Sequence, residues 1–185
     1  SDLERVEKES RDHIDTLRRI VERVEEHVRR SIKTLDELVD RARRSVERLI
    51  EELEEMKRKD KDKEKMTRKI EKLLKDAEDE IRKLKKEIRE LHKRNEDEVR
   101  RVKEEIRKSL KEVEDRIKEI RDKTTDRRVE EELRRLLEEN RRVVEEVEKE
   151  LDRLLKESED AVRRVEEALD RLLKELERVA KEVKD

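Results

Sequence analysis

Three histidines, His13, His27 and His92, are the side chains best suited to ligation or proton transfer near neutral pH in this sequence. Ser31, Asn95, Ser109, Asn140 and Ser158 add hydroxyl and carboxamide groups that can donate and accept hydrogen bonds at once. Such a set can serve a metal ion, a catalytic relay or a purely structural hydrogen-bond layer. Zinc wants three or four converging ligands, often with cysteine among them, and this chain has no cysteine. Its carboxylates fall mainly at outward positions, so no metal site is expected. No Ser–His–Asp arrangement is suggested, and a filled helical core offers no pocket. The chain is therefore not expected to be an enzyme or to carry a cofactor. The structural layer is the favoured reading.

The elements that must position these residues follow from one period. Apolar residues recur every three or four positions, the signature of amphipathic helix. They also recur at eighteen. Val129, Val147, Val165 and Val183 are in phase, as are Leu133, Leu151 and Leu169. Ile70, Ile88 and Ile106 repeat likewise in the middle of the chain, and Ile14, Ile32 and Ile50 near its start. Eighteen residues make five helical turns. A seven-residue repeat forces a left-handed supercoil, whereas this one keeps its stripe on one face of a nearly straight helix.

Two stretches interrupt the stripe, KRKDKDKEK after Met56 and RDKTTDRR after Ile120. A continuous helix through the second would swing the apolar stripe to the opposite face between Ile120 and Val129. Turns are expected at both places, with Asp60 or Asp62, and Thr124, Thr125 or Asp126, as helix caps. Ser1 with Glu4 forms a capping box for the first helix. The result is an all-α chain, a single domain over 1–185. It is an up-down-up antiparallel three-helix bundle with helices at about 2–59, 62–122 and 126–184. Each helix is then roughly 90 Å long. The apolar supply suits one closed core and leaves little for a second interface.

Composition agrees. Charged residues make up 62% and hydrophobic residues 30%, with no aromatic residue, Gly, Pro or Cys. This Glu/Lys/Arg/Leu-rich mix is that of long helices and not of disorder, which favours Pro, Gly and Ser. Opposite charges interleave to a net −2, so no basic face for nucleic acid forms. No apolar run is long enough for a membrane span. The start of the sequence has no targeting signal. A soluble monomer without a partner is expected.

Set against the repeat, the polar residues become informative. His13 and Ser31 share a phase with Leu49, and Ser10 shares one with Val28 and Val46. His92 stands where Leu74 and Leu110 stand, Asn95 where Ala77 and Val113 stand, and Ser109 where Leu73 and Leu91 stand. Asn140 and Ser158 match Leu176, and His27 sits beside a core valine. Folding the chain at its two turns brings His13 level with Ser109 and Asn140. It brings His27 and Ser31 level with His92, Asn95 and Ser158. Two polar layers are predicted, each fed by all three helices. A buried polar group must find a partner or lose its hydration without return. A layer satisfied in one arrangement penalises every other register and oligomer.

The eighteen-residue repeat, matched helix lengths, missing aromatics and layered His/Asn/Ser positions resemble computationally designed parametric helical bundles with buried hydrogen-bond networks. That resemblance covers the whole chain and implies a scaffold with no native activity. The glycine-free turns depart from the family's usual pattern. Spectrin-type repeats are similar in topology but carry core aromatics. The alternative use is a binding or switching module, with a displaceable helix or an acid response through the histidines. The third helix is the most regular and Leu-rich, which argues against displacement.

Overall fold

A computed structural model describes residues 1–185. The chain forms three helices, α1 (Asp2–Lys59), α2 (Lys63–Lys123) and α3 (Arg127–Lys184), and no strand. They pack as a three-helix bundle, as the period predicts. The bounds fall within a residue of those read from the apolar stripe.

Each turn is three residues long, and its caps explain how it manages without glycine. Asp62 accepts the backbone N–H of Lys65 on its carboxylate (3.3 Å) and that of Met66 on its carbonyl (3.0 Å). Asp126 accepts the N–H of Arg128 on its carboxylate (3.0 Å), while its own N–H donates to Thr124 Oγ1 (3.2 Å). Both first turns thus gain partners for donors that a helix end leaves open. No residue has positive φ, so neither turn uses the left-handed conformation for which glycine would be chosen. Ser1 Oγ accepts the N–H of Glu4 at 3.4 Å, the first half of the expected capping box.

The chain divides into two compact units. One comprises Ser1–Arg29 and Arg94–Glu157, the other Arg30–Lys93 and Ser158–Asp185. In the first, Val6, Ile117, Leu133, Leu136 and Leu137 form a core cluster from all three helices. The second holds two clusters. Leu35, Ile88, Val165 and Leu169 belong to one, and Leu53, Ile70, Leu176 and Ala180 to the other. No large hydrophobic side chain is exposed on the chain. No helix is long and apolar enough to cross a membrane.

The outer faces carry short-range ion pairs. Arg153 donates to Glu150, Arg178 to Glu175 and Lys59 to Glu55. Each donated hydrogen bond holds its glutamate below the ordinary value of 4.5. A carboxylate with a depressed folded pKa contributes stability that is complete above the unfolded value and lost as pH falls through the folded one. These pairs should therefore contribute nothing to an acid response between about pH 7 and pH 5.5. Below about pH 5, denaturant midpoints should fall less steeply for Glu150→Gln than for the parent. Equal slopes would deny the pair any part in acid stability.

Candidate functional site: the buried polar residues

Seven polar side chains are buried: Ser10, His13, Ser31, His92, Asn95, Asn140 and Ser158. In the first unit, Asn140 is completely enclosed and joins three residues. Its Nδ2 donates to the carbonyl of Leu136, one turn back, and to Ser10 Oγ, both at 2.7 Å. Its Oδ1 lies 2.9 Å from His13 Nδ1. The geometry fixes the chemistry. A backbone carbonyl can only accept, so the carboxamide nitrogen must face Leu136 and the oxygen must face the imidazole. Oδ1 also only accepts, so Nδ1 of His13 carries a hydrogen. Its Nε2 is buried and makes no hydrogen bond.

Ser10 completes this network where Ser109 was expected. Ser109 is only half-buried, as are its phase mates Leu73 and Leu91, so that phase lies on the flank of the α2 stripe. Ser10 shares its phase with buried Val28 and Val46, and that signal was enough to find it. Ser10→Ala leaves one buried N–H of Asn140 without its acceptor and should cost about 1–3 kcal/mol. Ser109→Ala should stay within about 0.5 kcal/mol. Denaturant midpoints of the two variants compare them directly, and equal losses would contradict this assignment.

Of the five residues expected in the second layer, Ser31, His92, Asn95 and Ser158 are buried. His92 and Ser158 lie in one unit and meet, with Nδ1 2.9 Å from Oγ. His92 Nε2 is 3.9 Å from a carboxylate oxygen of Glu159, too far for a hydrogen bond. Ser31 is buried in the same unit, and Asn95 is buried in the other. His27 is exposed and does not belong to a buried layer. The α1 stripe runs Val24, Val28, Ser31, Leu35, all buried, and residue 27 stands one position off that line, about 100° round the helix. No group of His, Cys, Asp and Glu side chains is placed to hold a metal ion.

A second set of polar contacts carries the same repeat. In the first unit Lys103 of α2 pairs with Asp152 of α3, and Arg107 with Glu148 at 2.6 Å. In the second unit Lys85 pairs with Asp170, and Arg89 with Glu166 at 2.7 Å. Every partner is eighteen positions from its counterpart. In these four pairs the cation comes from α2 and the anion from α3, whereas Arg141 with Glu114 and Lys184 with Glu71 pair the two helices in the opposite sense.

The surface of the bundle also carries a groove that is partly open to solvent. It has a volume of about 180 Å³ and lies between α1 and α2 in the second unit. Ala42, Val46, Leu49, Ala77, Ile81 and Leu84 supply its apolar lining. The repeat shows why it opens there. Ala42 stands where Val6 and Val24 stand, and Ala77 where Val113 stands, so two facing positions are truncated together.

A solved chain described as a computationally designed three helix bundle is similar to this one, with a TM-score of 0.64 and 23% identity. The match covers 98% of this chain and 84% of that one. The likeness is one of fold. No protein-family model and no curated protein matches the sequence.

Proposed function

We propose that the chain is a designed structural scaffold without a natural biochemical activity, in which buried polar groups specify one arrangement of its helices. The observation that carries this reading is the Ser10–His13–Asn140 network. Asparagine is mostly exposed in folded proteins, so a fully enclosed carboxamide needs partners that justify its burial. Here it serves only its neighbours. The similar fold of a designed three-helix bundle, the eighteen-residue repeat and the absent aromatics support the same reading.

On this reading the polar layers restrict association more than they add stability. A helix that slipped register or joined a second chain would bury the same groups unpaired. Sedimentation equilibrium tests it. The parent should run as a monomer of 22.8 kDa. A variant with every buried polar residue replaced by its apolar phase mate should remain helical but populate additional oligomers. A purely monomeric variant would deny the layers that role.

A further inference from the structure

We propose that His13 makes the first unit sensitive to mild acid, whereas His92 leaves the second unit tolerant of it. The two buried histidines are alike at one ring nitrogen and differ at the other. Each sets Nδ1 2.9 Å from a polar partner, Asn140 Oδ1 for His13 and Ser158 Oγ for His92. Nε2 of His13 is buried without a hydrogen-bond partner. Nε2 of His92 lies 3.9 Å from a carboxylate oxygen of Glu159, and that side chain is 58% exposed. Nδ1 of His13 already carries a hydrogen, so a further proton can go only to Nε2. It would place a second donor and a whole charge in an enclosed site with no acceptor. A proton on His92 instead meets an anion that a small side-chain movement brings into hydrogen-bond range.

The charges on the neighbouring helices support the contrast. On α1, Glu9 stands one turn before His13 and pairs with Arg116 of α2 at 2.5 Å. On α3, Arg141 follows Asn140 and pairs with Glu114 of α2 at 3.2 Å. Both carboxylates are thus held by an arginine. The charged residues on either side in sequence, such as Asp12, Lys108, Glu112 and Glu139, are exposed, where water and salt screen them from an enclosed ring. In the second unit, Arg89 of α2 is held by Glu166 of α3 at 2.7 Å, and Arg30 and Lys33, which flank Ser31 on α1, are exposed. Glu159 of α3 is the anion beside the His92 ring. The sign follows from linkage. An unfolded histidine takes up its proton near pH 6.5. The fold that encloses His13 gains nothing from that proton, so acid draws the balance toward the unfolded chain. This stability is complete above that pH and is lost as pH falls below it.

The test is guanidinium unfolding of the full chain at about pH 7.5 and about pH 5.5, on either side of the ordinary histidine value. Between the two, the folded-to-unfolded ratio of the parent should fall by up to about tenfold, the limit for one enclosed histidine. His13→Gln keeps an N–H for Asn140 but cannot take up a proton, and it should abolish the fall. His27→Gln, at an exposed position, should leave the fall unchanged. Glu159→Gln removes the carboxylate beside His92 and should enlarge it, since a second buried ring then lacks a partner for its proton. Only the change between the two pH values is read, so a loss of stability common to both does not enter. An equal fall in the parent and in His13→Gln would overturn the proposal. So would a Glu159→Gln variant that responds to acid as the parent does.

Discussion

Asn140→Ala should destabilise the protein by about 2–4 kcal/mol, while replacing the whole network with apolar residues should cost nothing. The single change leaves the Nδ1–H of His13 buried without its acceptor, and opens a small void where the carboxamide was. A buried donor left unpaired costs about 1–3 kcal/mol, and the lost packing adds to it. The triple variant Ser10→Val, His13→Leu, Asn140→Leu removes donors and acceptors together. Each replacement is the residue that the repeat places in the same phase, Val28, Leu49 and Leu176. Replacing both partners of a buried hydrogen bond by apolar groups of similar shape can be nearly neutral or stabilising. Urea denaturation of the parent, the single and the triple variant therefore has opposite signs to separate. If the triple variant is less stable than Asn140→Ala, the network is a source of stability and not of specificity.

The sequence made the helices legible because one physical signal dominates it. Five turns in eighteen residues hold the stripe on a fixed face, and any insertion at a turn shifts the stripe visibly. The same signal marked Asn140, Ser158, His92 and Asn95, since each interrupts a phase that is otherwise apolar. It was weaker at the edges of the stripe. His27 and Ser109 both lie beside core residues, and period alone does not separate a flank from a seam. Levels across helices were also approximate, because helical side chains lean toward the N-terminus and reach partners away from their own level. Ser10 meets Asn140 in this way, in place of Ser109, while His13 bonds to the Asn140 of its own level.

The ion pairs between α2 and α3 were illegible for a different reason. With 62% of residues charged, almost every register offers some opposite pair. Only the eighteen-residue recurrence of Lys85 and Lys103, with Asp152 and Asp170, sets this seam apart. Most of these side chains keep substantial contact with water, where a single pair is worth about 0–1 kcal/mol. Their use is therefore in choosing neighbours. The four recurring pairs place their cations on α2, while Arg141–Glu114 and Lys184–Glu71 run the other way, so this edge is matched pair by pair and not by one polarity. The groove was legible in principle, since Ala42 breaks a valine phase on α1 and Ala77 stands where Val113 stands on α2. Seeing that the two breaks face each other needed the register.

Leu151→Ala and Leu169→Ala should each cost about 2–5 kcal/mol, the range for emptying a fully buried leucine site. Both side chains are completely enclosed, at 0% exposure, and they occupy the same phase of α3. Leu151 belongs to the unit that contains the α2–α3 turn, Leu169 to the unit that contains the α1–α2 turn. Because the repeat surrounds them with similar neighbours, the two losses should be alike. What distinguishes them is how the loss appears. If the chain is a single domain, as its one continuous apolar pattern leads us to propose, both variants should unfold in one transition whose midpoint falls by the same amount. Guanidinium unfolding followed by circular dichroism, with methyl signals of each unit read in parallel, measures this. A midpoint lowered only in the unit that carries the substitution would mean that the two units unfold separately. The helices would then join two cooperative blocks, and a scaffold built on this repeat could be lengthened block by block without changing the stability of either.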